Sequence, residues 1–281
     1  MWGQMRKLAI GAALTGALAL TGLAAPLAQA ATPALVFSGV TVNKGKAIVV
    51  GTTATVKVPV TYTLTRPSDV TIDNKTTFAG IMLYRGSLAA FDNEIDADTN
   101  PTCTTTATTD TTVTEACSDT ITIDPEDSLY ETADATTWNV AGVYAHIDAD
   151  LDDSDEQISY STDFAAWGGK GKVKIQRAAK LTANASPEPV KKGKTITVTG
   201  ALTRANWESG KYSGYVSQPA KLQFRAKGSS TYTTVKTVTS STGGALKTTV
   251  KAAQDGYFRY VFAGTSTTGA ATAAGDYIDV Q

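Results

Sequence analysis

The sequence predicts an all-β protein: two tandem immunoglobulin-like β-sandwich domains that follow an N-terminal signal peptide. Threonine and valine are abundant among the 281 residues. Strand-like runs recur at short spacing between turn residues, and helical periodicity is hard to find after the first 30 residues. We expect a signal peptide at residues 1–30, an acidic domain at 31–178 and a basic domain at 179–281.

The first 30 residues have the parts of a secretory signal peptide. Arg6 and Lys7 form a basic start, an apolar stretch over residues 8–23 follows, and residues 28–30 spell the A-x-A cleavage signal. A retained membrane anchor is the alternative, which the short apolar run disfavours. We therefore predict a secreted, extracellular protein with no membrane span in the mature chain.

In the first domain, the run TVKVPVTYTL alternates apolar and polar residues with the period of a half-buried strand. Its apolar face holds Val56, Val58, Val60, Tyr62 and Leu64. We expect Trp138 and Trp167 in the core of this domain, and the Thr/Asp-rich stretch from Asp92 to Asp119 to be an insertion.

The chain has two cysteines, Cys103 and Cys117. An oxidising compartment favours a disulfide between them, which would staple the expected insertion. Two free thiols are the alternative, and a metal site is weaker still because His146 is the chain's one histidine.

In the second domain, about seven strand-like runs fall within some hundred residues, which is typical of an immunoglobulin-like sandwich. The runs TITVTGAL, KLQFRA, LKTTVKA and GYFRYVFAG show the clearest alternation. Tyr257 follows an Asp-Gly turn and is our candidate for a tyrosine corner. The join between the domains, KIQRAAKLTANAS, contains no flexible Gly/Ser linker.

The segment from ASPEPVKKGKTITVTGAL to GDYIDVQ resembles a domain common in secreted two-domain Ig-like proteins of high-GC Gram-positive bacteria. The resemblance covers nearly all of the C-terminal half, and the N-terminal half more loosely through VNKGKAIVVGTTATVKVPVTYT. Members of that family often carry the label calcium-binding protein. The resemblance implies the fold, a place outside the cell and no catalytic motif.

The stretch HIDADLDDSDEQ places six carboxylates within nine residues. The candidate metal ligands are Asp148, Asp150, Asp152, Asp153, Asp155 and Glu156. An EF-hand loop that starts at Asp148 would need Gly at its sixth position and Glu at its twelfth, where this chain has Asp153 and Ser159. Two interpretations remain: a solvated acidic hairpin, with Val143 and Ala145 on the buried side of its strand, or a weak, exposed calcium site.

The loop RANWESGKYSGY places Trp207, Tyr212 and Tyr215 close together. They could form an aromatic platform for a ligand, or they could cross-pack over one end of the sandwich. No motif indicates catalysis, because His146 lies among acids on a predicted strand with no nucleophile elbow nearby. We therefore expect no enzymatic activity.

Charge divides between the two domains. Residues 31–178 hold 21 Asp and Glu against 10 Lys and Arg, a net charge of −11, while residues 179–281 have a net charge of +8. The basic residues we expect to matter are Lys191, Lys192, Lys194, Lys221, Arg225, Lys227, Lys236, Lys247 and Lys251. This asymmetry predicts binding to an anionic cell-wall polymer, or self-association between opposite charges. The basic half shows no nucleic-acid module, so we expect no nucleic-acid partner.

Overall fold

Strands dominate the fold because threonine, valine and isoleucine fill the alternating positions of the extended chain. The computed structural model describes residues 32–97, 100–150 and 159–281, without the side chains of residues 147–150 and 159–162. The all-β prediction of immunoglobulin-like sandwiches is confirmed within these ranges. The predicted signal peptide lies outside them. None of the helices in the described ranges is long and apolar enough to cross a membrane.

The chain divides into two compact units. The first contains the described residues up to Ile48, then Val56–Ile123 and Thr137–Lys174. The second contains Val49–Thr55, Asp124–Thr136 and Ile175–Gln281.

The strands before residue 178 are β1 (Val36–Val42), β2 (Ile48–Val50), β3 (Val56–Pro67), β4 (Thr77–Ser87), β5 (Ala90–Asp96), β6 (Thr102–Thr108), β7 (Thr112–Ile123), β8 (Thr137–Asp150), β9 (Ser159–Trp167) and β10 (Lys172–Arg177). One sheet has the order β1-β3-β7-β6, and the other has the order β2-β10-β8-β4-β5 with β9 paired to β8. A short helix, α1 (Pro125–Ser128), begins at the N-cap Asp124, whose carboxylate accepts the Glu126 N–H. Tight 3-10 turns occupy Asn43–Gly45, Thr132–Asp134 and Thr242–Gly244.

The core of the first unit lies between its two sheets. The prediction for β3 is confirmed, because Val58, Val60 and Leu64 are at most 1% exposed. Tyr62 is also buried, and its hydroxyl donates to the Ala79 carbonyl on β4, 3.3 Å away. This bond ties one sheet to the other across the core.

The expected orientation of β8 is wrong. Trp138, Val140 and Tyr144 occupy the buried core, whereas Val143 is only half-buried and packs with Ala141 on the opposite face of the sheet. The cause is a second small apolar cluster on that face, which gives both sides of the strand apolar residues and weakens the alternation.

The stretch from Asp92 to Asp119 supplies sheet strands, so its interpretation as an insertion is wrong. β7 pairs with β3 along twelve consecutive residue pairs, and β6 pairs with β7 at the sheet edge. Threonine favours extended chain, which explains how so polar a segment joins a sheet. The predicted disulfide is confirmed: Cys103 and Cys117 lie directly opposite each other on β6 and β7, with Cα atoms 4.1 Å apart.

The later strands are β11 (Ala179–Leu181), β12 (Asn184–Ser186), β13 (Thr195–Asn206), β14 (Lys211–Gly214), β15 (Pro219–Ala226), β16 (Thr233–Thr239), β17 (Ala245–Lys251), β18 (Gly256–Phe262), β19 (Ala271–Thr272) and β20 (Asp276–Ile278). In one sheet β13 pairs with β11, β12, β14 and β17. In the other sheet the order is β16-β15-β18-β19, with β20 also paired to β18. The pairing of β14 with β13 makes the predicted aromatic loop largely a hairpin.

Apolar side chains from both sheets form the core of the second unit, among them Ile196, Leu222 and Phe262. Tyr260 is fully buried there, and its hydroxyl donates to the Val198 carbonyl on the facing sheet at 2.9 Å. Our candidate for this kind of role, Tyr257, is wrong because it lies on the outer face of β18. The side chains of Tyr257 and Tyr260 are an odd number of positions apart, so they point to opposite faces of the strand.

Candidate functional site

The predicted acidic hairpin lies largely outside the described residues. The backbone of β8 includes Asp148 and Asp150, opposite Ser161 and Ser159 on β9, but their side chains are not described. Asp152, Asp153, Asp155 and Glu156 lie outside the described ranges. Within those ranges, no group of three or more His, Cys, Asp or Glu side chains could hold a metal ion. The calcium interpretation of the hairpin stays a prediction.

The three aromatic residues of the predicted ligand platform all lie in the second unit, each with a cation against its ring. Trp207 is 5% exposed, and its indole N–H donates to the Gly51 carbonyl at 2.8 Å. The Arg177 guanidinium lies 5.1 Å from the centre of that ring. Trp207 therefore serves the packing of the unit and presents no open ring.

Tyr212 and Tyr215 are half-buried on the hairpin. The Lys180 ammonium lies 3.8 Å from the Tyr212 ring centre, and the Arg204 guanidinium lies 4.3 Å from that of Tyr215. Burial raises the pKa of the Tyr212 phenol. Cation–π contacts of this kind stabilise a ring and its cation together, so both rings already have a partner on one face.

A second group of cations and rings covers the outer face of the other sheet, and the sequence pattern indicates little of it. We call it the Arg/Tyr face. Its members are Gln223 and Arg225 on β15, Tyr257 and Arg259 on β18, Tyr277 on β20, and Tyr232 just before β16. Only Arg225 was among the predicted basic residues.

Strand register builds this face. Arg225 lies directly opposite Tyr257, which lies opposite Tyr277 on the next strand. Arg259 lies opposite Gln223, one step along the same face. Since alternate residues of a strand share a face, the burial pattern of β18 places Tyr257 and Arg259 outward and Phe258 and Tyr260 inward.

The two guanidinium groups are held against tyrosine rings. Arg259 has its Cζ 3.6 Å from the Tyr232 ring centre, and its Nε donates to Gln223 Oε1 at 3.0 Å. Arg225 has its Cζ 4.2 Å from the Tyr257 ring centre and 5.3 Å from that of Tyr232. Arg225 Nη1 also donates to the Ser229 carbonyl at 2.6 Å. The Tyr232 ring is thus shared by both arginines.

The acid at the end of this face is already engaged. Asp255 accepts the Val280 N–H at 2.9 Å and the Tyr277 hydroxyl at 3.0 Å, and lies 3.3 Å from the Lys227 ammonium. The backbone bond from Val280, followed by the Tyr277 bond, holds the pKa of Asp255 below its ordinary value. The contacts of Asp255 are therefore with Lys227 and with the C-terminal segment that contains Tyr277 and Val280.

The predicted lysines are scattered over the surface of the second unit. All eight are exposed: Lys191, Lys192, Lys194, Lys221, Lys227, Lys236, Lys247 and Lys251. Within the described part of the chain, Lys227 is the one among them with a carboxylate in salt-bridge range. The other seven are exposed and have no carboxylate in salt-bridge range among the residues that the structure describes.

No family model matches the chain, and no curated protein matches it. Among solved structures, the mouse nectin-like molecule 4 full ectodomain (Ig1–Ig3) is 10% identical, with 88% of this chain and 64% of that chain covered and a TM-score of 0.22. This chain therefore spans less than two thirds of that ectodomain. The CupB6 tip adhesin from Pseudomonas aeruginosa is 10% identical, with coverages of 86% and 99% and a TM-score of 0.17. Both TM-scores are low, so the function proposed below rests on this chain's own residues.

Proposed function

We propose that the chain is a secreted, non-enzymatic binding module that works at the bacterial cell surface or outside the cell. Its basic second unit holds an anionic cell-wall polymer. The observation that carries this proposal is the set of exposed lysines in residues 179–281, seven of them without a partner acid in the described chain. Residues 179–281 have a net charge of +8, and the second unit, which also contains Arg177 and the five acids of Asp124–Thr136, has a net charge of +4. Such a surface attracts polyanions through many weak, additive contacts.

The disulfide supports an extracellular place, because such bonds persist in oxidising compartments. The signal-peptide pattern of the first 30 residues supports export. Residues 31–178 have a net charge of −11 and would repel the same polymer, so this part of the chain does not account for its binding. The polymer is therefore assigned to the second unit.

The test is co-sedimentation of the full mature chain with isolated bacterial cell walls at low salt. A matched sample uses walls from which the anionic polymers have been stripped. We expect the chain to pellet with intact walls and to remain largely in solution with stripped walls. Equal binding to both preparations would overturn the assignment to an anionic polymer.

Self-association between the acidic and basic halves would use the same charges. Sedimentation velocity at low salt separates the two modes. A monomer that binds walls supports the polymer, whereas concentration-dependent oligomers without wall binding would favour self-association instead.

A further inference from the structure

We infer that the Arg/Tyr face is the surface of the second unit that contacts the polymer, and that it takes an oxyanion group, phosphate or carboxylate, carried along that polymer. This site rests on the function proposed above and adds the position and the chemistry of recognition. It differs from the exposed lysines because its cations are fixed in place before a ligand arrives.

The first support is the rigid placement of the two guanidinium groups. Arg259 is fixed by the Tyr232 ring and by Gln223, and Arg225 is fixed by two rings and by the Ser229 carbonyl. A long flexible cation loses rotamer entropy when it orders on a ligand. Here most of that loss occurs on folding, so binding an anion costs less at this face than at a free lysine.

The second support is an unbalanced charge. Both guanidinium groups lie against one ring, Tyr232, with Cζ atoms 3.6 and 5.3 Å from its centre. That places the two positive charges within a Debye length of each other, about 10 Å at 0.1 M salt. In the described chain no carboxylate lies in salt-bridge range of Arg225 or Arg259, and Asp255 is engaged elsewhere. A bound oxyanion would relieve this repulsion.

The third support is the set of donors that remain. A guanidinium carries five N–H donors. The structure gives Arg225 and Arg259 one hydrogen bond each, and neither has a nitrogen that is buried without a partner. Arg177 is the contrasting case, since its Nε and Nη2 are buried without a partner. The remaining donors of the Arg/Tyr face therefore open to solvent.

Guanidinium geometry selects the ligand class. Its planar fork matches two oxygens of one phosphate or carboxylate group, which an ammonium cannot do. The neighbouring Lys221 is exposed and adds charge along the same side of the sheet, whereas Lys227 is paired with Asp255. A polymer with repeated oxyanions can engage the arginine pair and Lys221 together.

The test measures the affinity of the full mature chain for two probes, linear polyphosphate and polygalacturonate, with neutral dextran as the blank. The first variant is Arg225→Gln with Arg259→Gln. Its matched control is Lys247→Gln with Lys251→Gln, which removes the same charge from exposed positions on β17, in the other sheet of the unit. A third variant, Arg225→Lys with Arg259→Lys, keeps both charges and removes only the planar forks. Thermal unfolding of each variant checks that it folds.

We expect the glutamine pair to lose at least about tenfold in affinity, as for the loss of charge-assisted hydrogen bonds. We expect the β17 control to lose at most about threefold, since exposed charges contribute little each. The lysine pair should stay close to the glutamine pair. The probe with the larger loss identifies phosphate or carboxylate as the preferred group.

Equal losses in the glutamine pair and the β17 control, or full recovery in the lysine pair, would overturn the site while leaving polymer binding in place. Failure of the unaltered chain to bind either probe would overturn the proposed function itself. If the glutamine pair does not fold, the lysine pair decides alone, because it preserves charge and chain length at both positions.

Discussion

Gly142 on β8 lies against Phe37 on β1 so closely that a Cβ atom on the glycine would be 2.2 Å from Phe37 Cδ2. The Phe37 ring is 3% exposed and packs against Tyr62 and Trp167, with ring centres 5.8 and 5.7 Å away. The absence of a side chain at residue 142 is what admits this ring into the core of the first unit.

Gly142→Ala should lower the free energy of unfolding by about 1–3 kcal/mol, because one added methyl group overpacks a filled core. Chemical denaturation of the full chain measures this. Gly80→Ala is the matched control: Gly80 lies on the neighbouring strand, opposite Val143, and a Cβ there meets nothing within 4 Å. Equal effects of the two substitutions would show that Phe37 packing is not the cause.

Tyr260→Phe should destabilise the second unit by about 0.5–1.5 kcal/mol, the usual net contribution of a buried hydrogen bond. The substitution removes the bond to the Val198 carbonyl and leaves that buried oxygen with one partner fewer. Tyr257→Phe, on the outer face of the same strand, serves as the control and should change stability little. A Tyr260→Phe variant as stable as the unaltered chain would show that the bond between the sheets contributes nothing.

The free energy of unfolding should fall as pH rises from about 4.5 to about 7, because Glu94 ionises over this range. Burial, and then the nearby charge of Asp96, raise the pKa of Glu94 from 4.5 to about 7 in the folded chain. One of its carboxylate oxygens, Oε2, is buried without a hydrogen-bond partner. Glu94 ionises at a lower pH in the unfolded chain than in the folded chain. The stability present below pH 4.5 is therefore lost as pH rises through 7.

Glu94→Gln should flatten that profile and make the chain more stable than the unaltered protein at pH 8. Denaturation midpoints across pH 4 to 8 measure both effects, with exposed Glu126→Gln as the control. A glutamine variant that keeps the original slope would assign the pH dependence to another group.

Calcium should bind weakly if at all, because the acidic stretch that begins at Asp148 lacks the glycine and the bidentate acid of an EF-hand. We expect calorimetry to give no affinity tighter than the millimolar range typical of weak extracellular sites, roughly 10⁻⁴–10⁻³ M. Micromolar affinity for calcium over magnesium, abolished by Asp150→Asn and Asp152→Asn, would contradict this.

Much of the fold follows from local pattern, because in a half-buried strand such as β3 the alternation of apolar and polar residues marks the buried face. The orientation of β8 does not, since apolar residues on both of its faces make the two orientations look alike. The disulfide was predictable because the chain offers one pairing.

The Arg/Tyr face was not predictable as a unit. Arg225, Tyr232 and Arg259 are separated in sequence and meet only through the pairing of β15 with both β16 and β18. The alternation in the run GYFRYVF gives one signal, the outward position of Arg259. Phe224 and Phe258 pack together on the inner face, so their neighbours in each strand lie on the outer face.

The most direct test of polymer binding is the salt dependence of the full chain's affinity for isolated cell walls, plotted as log affinity against log salt between about 0.05 and 0.2 M. Binding driven by exposed cations must weaken as salt screens them. We predict a steep linear fall, of at least about tenfold over this range, with a shallower slope in the Arg225→Gln, Arg259→Gln variant. An affinity that does not change with salt would contradict charge as the basis of binding.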